Sequence, residues 1–66
     1  MNNTLFRYKV IVTGRRIRSQ DLFKNLPIQY VMAENDEQAF EYARRDLCDT
    51  YEHIIPYSVI RENREN

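Results

Sequence analysis

The chain predicts an α+β fold: a single β-β-α-β domain whose three-stranded antiparallel sheet, ordered 2-1-3, carries one helix on one face. Three observations predict it. Leu5 to Thr13 alternates apolar and polar residues with a period of two, Asn35-Asp36-Glu37-Gln38 opens a helix with capping chemistry, and Ile54 to Ile60 returns to β-branched and aromatic residues. The 66 residues leave room for one domain. Apolar residues at 42% and charged residues at 30% place it among folded rather than disordered chains.

In the first strand Phe6, Tyr8, Val10 and Val12 share one face, while Arg7, Lys9 and Thr13 share the other. It contains no proline and alternates most regularly, so it is expected at the centre of the sheet. The second strand, Ile28 to Ala33, follows Pro27. Pairing Val12 with Ile28, Val10 with Tyr30 and Tyr8 with Met32 matches three apolar pairs on one face, and this register sets a turn near Ser19-Gln20-Asp21. Residues 14–26 are then expected to continue the two strands as a projecting arm, with Gly14 marking a bulge or bend where it leaves the sheet. A single helical turn after Ser19 is the competing local reading.

The helix is expected to start at Asn35, whose side chain accepts from a backbone N–H three residues on while Gln38 reaches back. Asp36 and Glu37 suit the positive end of the helix dipole, and Arg44 and Arg45 its negative end. Ala39, Phe40, Ala43, Leu47 and Tyr51 fall within one apolar arc, with Glu41, Arg45 and Gln38 opposite. Pro56 cannot donate to a ladder, so the last strand is expected at an edge or with a bulge. The domain is read as 1–60, with 61–66 a polar tail.

Composition narrows the function classes. The longest apolar runs, Val10–Val12 and Tyr30–Ala33, fall far short of the ~20 residues of a membrane span. The first residues also lack the pattern of a signal peptide, so a cytoplasmic protein with no membrane partner is expected. Gly14 is the only glycine, which excludes a glycine-rich phosphate loop. One cysteine, Cys48, and one histidine, His53, supply neither an internal disulfide nor a metal-ligand set. No nucleophile–base pair is marked by an activating environment, and a core this small offers no deep pocket. A non-catalytic protein without cofactor or metal is the expectation.

Net charge is zero, yet residues 1–30 hold six basic residues against one acidic, and residues 31–66 hold four against nine. The folded molecule is either electrostatically bipolar or neutralised across one surface. The arm is the leading candidate site: Arg15, Ile17, Phe23 and Asn25 on one face, Arg16, Arg18 and Lys24 with Leu22 on the other. Apolar anchors ringed by cations suit a protein contact, although Ile17, Leu22, Phe23 and Leu26 could equally fold back to close the core. The helix-free face, with Arg7, Lys9, Gln29 and Thr13 around Ile11 and Val31, is a second candidate; there Phe6, Tyr8 and Tyr30 are expected to point into the core. The acidic helix exterior of Glu34, Asp36, Glu37, Glu41 and Asp46 is a third, suited to a basic partner.

The stretches Tyr8-Lys9-Val10, Thr13-Gly14 and Val31-Met32-Ala33-Glu34-Asn35-Asp36-Glu37-Gln38-Ala39 resemble the archaeal ribosomal protein LX family over about residues 6–60. That resemblance implies an RNA-binding module in which Arg15, Arg16 and Arg18 contact rRNA. In size and economy the chain is also similar in kind to small phage-encoded inhibitors. The preferred expectation is a protein-binding regulator or inhibitor that occupies a surface of a larger complex through Arg15, Arg16, Ile17, Arg18, Phe23 and Lys24. RNA binding is the alternative, and edge-strand pairing offers a route to a homodimer.

Overall fold

A computed structural model describes residues 4–62. Five elements follow in order: β1 (Phe6–Arg16), β2 (Lys24–Asn25), β3 (Gln29–Ala33), α1 (Asp36–Leu47) and β4 (Tyr51–Glu62). Every strand pairs antiparallel to β1, which is central as its unbroken alternation requires. β4 runs along one edge of β1, and β3 and then β2 follow each other along the other edge. The sheet is therefore the expected α+β arrangement with one additional short strand.

The even-numbered face of β1 is buried under α1. Tyr8, Val10 and Val12 join Ala33, Leu26 and the helix residues Ala39, Ala43 and Leu47 in one core, with Phe6, Val31, Phe40, Tyr51, Ile54 and Val59 packed around it. The helix begins as its sequence requires. Asn35 is extended at φ −157° and its Oδ1 accepts from the Gln38 backbone N–H at 2.8 Å. The Gln38 side chain reaches one residue farther than a standard capping box, its Oε1 accepting from the Glu34 backbone N–H at 2.8 Å.

The helix stops a turn earlier than its apolar arc suggests. Tyr51 belongs to β4, not α1; Thr50 donates its N–H to the Leu47 carbonyl and the chain turns there. Asp49 is disfavoured at the negative end of a helix, and the β-branched Thr50, Ile54 and Ile55 favour a strand. At the far end β4 continues through Arg61 and Glu62, which pair with Tyr8 and Arg7, so the domain extends past residue 60. The rest of the expected tail, 63–66, lies outside the described residues.

The β1–β3 register differs by one residue from the apolar-pair prediction. Tyr8 faces Val31, Lys9 faces Tyr30 and Arg7 faces Met32. The physical reason is helix proximity. Ala39 and Ala43 bring α1 close to the sheet, so the small Val31 and Ala33 fit beneath it, and the larger Tyr30 and Met32 turn to the opposite, open face, with Ile28 exposed just before β3.

β4 carries two irregularities. Its register with β1 shifts between Ile11 and Val12, where Pro56 and Tyr57 sit, and again between Thr13 and Arg15. The first meets the expectation for Pro56. In the second, His53 adopts φ 56°, and Gly14 lies opposite. A Cβ on Gly14 would stand 3.0 Å from the Glu52 carbonyl oxygen and 3.1 Å from Leu26 Cδ1, so glycine is what allows the strands to close there.

Candidate interaction surface

The arm is not a continued β1–β2 hairpin. β2 contributes two residues only, pairing Asn25 with Thr13 and Lys24 with Gly14. Leu26 sets that register: its N–H donates to the Val12 carbonyl at 2.9 Å and its side chain is buried, which draws the returning segment toward the core. The second strand of the extension is β4, through Arg15 opposite Glu52 and Arg16 opposite Tyr51. Ile17 donates its N–H to the Thr50 carbonyl at 3.0 Å. A four-residue turn then closes from Arg16 to Ser19, with Arg18 at φ 63°, and the Ser19 hydroxyl accepts from the Asp21 N–H at 2.8 Å. No helical turn follows Ser19.

Only Leu26 of the arm's four apolar residues is buried; Ile17, Leu22 and Phe23 are 40%, 87% and 58% exposed. Phe23 is held in place, with the Arg15 guanidinium 5.4 Å from its ring centre and the His53 ring 5.9 Å away. Arg15 also pairs with Glu52, Nε to Oε2 at 3.1 Å. Among the described residues, Arg16, Arg18 and Lys24 have no carboxylate within ion-pair distance. The predicted site residues thus divide: Arg15 and Phe23 form a fixed cluster, and Arg16, Arg18 and Lys24 remain available cations around Ile17 and Leu22.

The register joins the arm to the helix-free face of the sheet. Odd-numbered β1 residues face away from α1, so Arg7, Lys9, Ile11, Thr13 and Arg15 line this face. Opposite them stand Met32 and Tyr30 from β3, and Ile60, Ser58, Ile55 and Glu52 from β4. Tyr30, expected in the core, is 51% exposed here with Arg7 stacked 4.7 Å from its ring centre, while Gln29 and Val31 belong to the other face. Met32, Ile55 and Ile60 are likewise exposed. A band of large apolar side chains interleaved with cations therefore runs from Met32 to Phe23. Sequence reasoning missed Tyr30, Met32, Ile55 and Ile60; the paired alanines of α1, which draw the helix close over β3, are the signal that points to Tyr30 and Met32.

The charge asymmetry is partly neutralised across the sheet. Arg7 and Glu62 are direct cross-strand partners with Nε to Oε1 at 3.3 Å, as are Arg15 and Glu52. On the other face, α1 and β4 flank an open groove of about 510 Å³ whose apolar floor is Phe40, Pro56 and Val59 and whose rim is Asp36, Glu37 and Glu41. Glu41 also holds Arg44 at 2.7 Å, and this hydrogen bond and charge raise the Arg44 pKa.

Among the described residues, no helix is long and apolar enough to cross a membrane, and no three His, Cys, Asp or Glu side chains come together as a metal-ligand group. Cys48 is exposed, with its thiol directed to the Arg45 carbonyl oxygen. Comparison with protein-family models, with curated proteins and with solved structures finds no match for the chain.

Proposed function

We propose that the protein is a small, non-catalytic protein-binding module, a regulator or inhibitor that lays the open face of its sheet and the adjoining arm on a larger partner. The observation that carries this reading is the band of exposed Tyr30, Met32, Ile55, Ile60 and Phe23 on a face that none of the described elements covers. Contiguous apolar surface rimmed by cations is characteristic of protein interaction sites, and monomeric proteins rarely leave it open. The outer edges of β3 and β4, unpaired among the described residues, add backbone donors and acceptors for a strand from a partner.

A second reading, RNA binding, draws on Tyr30 lying on the open face beside Arg7 and Lys9, and on the resemblance to the LX family. One experiment separates the two. The tagged protein is used to capture partners from a cell lysate with and without nuclease, alongside a Tyr30→Ser/Met32→Ser variant. A stoichiometric protein that survives nuclease and moderate salt, and is lost with the variant, supports the module reading. RNA whose retention falls steeply with salt and disappears in an Arg15, Arg16 and Arg18 triple replacement supports the other.

A further inference from the structure

Two surfaces left over by that reading are the arm and the α1–β4 groove, whose floor reaches Pro56 opposite Val12 while its carboxylate rim lies toward the far end. β3 runs away from the arm, from Gln29 opposite Val10 to Ala33 opposite Phe6, so α1 starts at the end remote from the arm. It ends at Leu47, near Thr50, whose carbonyl binds the arm at Ile17. Its first turns, Asp36 to Glu41, carry the rim of the α1–β4 groove. At the other end, Arg16 and Lys24 sit at even-face positions, next to Arg18 and Leu22. Leu22, 87% exposed, is the most exposed large apolar side chain among the described residues. The molecule is 44 Å long.

We infer that the arm of one copy docks into the α1–β4 groove of a second, Leu22 entering over Phe40, Pro56 and Val59 while Arg16, Arg18 and Lys24 meet Asp36 and Glu37. Each part finds its complement in the same chain. The groove has an apolar floor for one branched side chain and a carboxylate rim, and the arm has one protruding leucine among cations without carboxylate partners. A volume of about 510 Å³ is ample for that side chain. Within one chain Asp36 and Glu37 follow the end of β3 remote from the arm, so the arm cations do not meet that carboxylate rim in their own copy. A net charge of zero leaves little overall repulsion between copies. The contact joins two unlike surfaces, and its head-to-tail arrangement leaves an arm free at one end and a groove at the other, so it adds copies in a row. It uses the helix face and leaves the open sheet face free.

Sedimentation equilibrium of the full chain over a concentration series tests this. The average mass is expected to climb with concentration past that of a dimer and to fall back when salt is raised to ~0.5 M, since exposed ion pairs are screened. An arm variant, Leu22→Ser/Arg18→Asn, and a groove variant, Asp36→Asn/Glu37→Lys, are each expected to stay monomeric at concentrations where the parent associates. Their equimolar mixture is expected to form a 1:1 pair and nothing larger, because each supplies the half the other lacks. The same mixture shows that both variants are folded. Tyr30→Ser/Met32→Ser is expected to associate like the parent, so loss of partner capture and loss of self-association are separable. A parent chain monomeric up to ~1 mM overturns the inference, as do variants that associate like the parent or a mixture that forms no pair.

Discussion

Gly14 occupies a point where three strands converge. Its φ is not left-handed, so its role is space alone. A methyl group there presses on the Glu52 carbonyl oxygen at 3.0 Å, a backbone atom that moves only if the β1–β4 ladder moves. Gly14→Ala is therefore expected to lower stability by about 1–3 kcal/mol, read as a lower midpoint in thermal or urea unfolding. Alanine's lower unfolded-state entropy offsets less than that. The sequence singled out Gly14 as a bulge or bend, because a lone glycine within a strand pattern has few other uses. His53 was not legible in that way. Its φ of 56° follows from the extra residue β4 must absorb opposite Gly14, which no local pattern announces. Arg15 was legible as an arm cation, but its engagement by Glu52 was not, since it depends on which strand borders it.

Among the elements, α1 was the most readable because its signals are local: a cap, a dipole-matched charge order and a period of 3.6. Asn35→Ala removes the acceptor for the Gln38 N–H and is expected to cost about 1 kcal/mol, which the same unfolding measurements detect. The β1–β3 register was harder. Matching the largest apolar residues across the strands is a sound pairwise rule, yet here the close approach of α1 overrides it, and a shift of one residue exchanged the faces of every β3 side chain. Tyr30 and Met32 moved from core to surface, and with them the centre of the candidate site. β2 and the β1–β4 extension were illegible for a related reason. Which strand borders Arg15 and Arg16 depends on the bulges of a segment more than thirty residues away.

At the scale of the whole molecule, the chain is thin and long. Its radius of gyration of 13.0 Å exceeds the ~11 Å of a compact chain of this length, and its extents are 44 × 25 × 13 Å. One sheet with one helix on one side leaves the other face of the sheet uncovered among the described residues. The bipolar charge arrangement survives folding in part: cross-strand pairs remove Arg7 and Arg15 from the basic account, and the remaining arm cations and the acidic start of α1 stand apart.

Arg7 and Glu62 are direct neighbours in the β1–β4 ladder, so the chain enters and leaves the sheet at one spot, at the end away from the arm. A short linker can join β1 and β4 directly at this spot, between Phe6 and Glu62, and the chain be reopened between Gln20 and Asp21, where no strand is cut. Such a circular permutant is expected to keep the parent's far-ultraviolet circular dichroism and to unfold cooperatively; loss of either would mean that the 16–24 connection is needed to assemble the sheet. The permutant turns the arm into two open ends, a scaffold in which the former loop becomes the point of attachment and the meeting point of β1 and β4 becomes a turn.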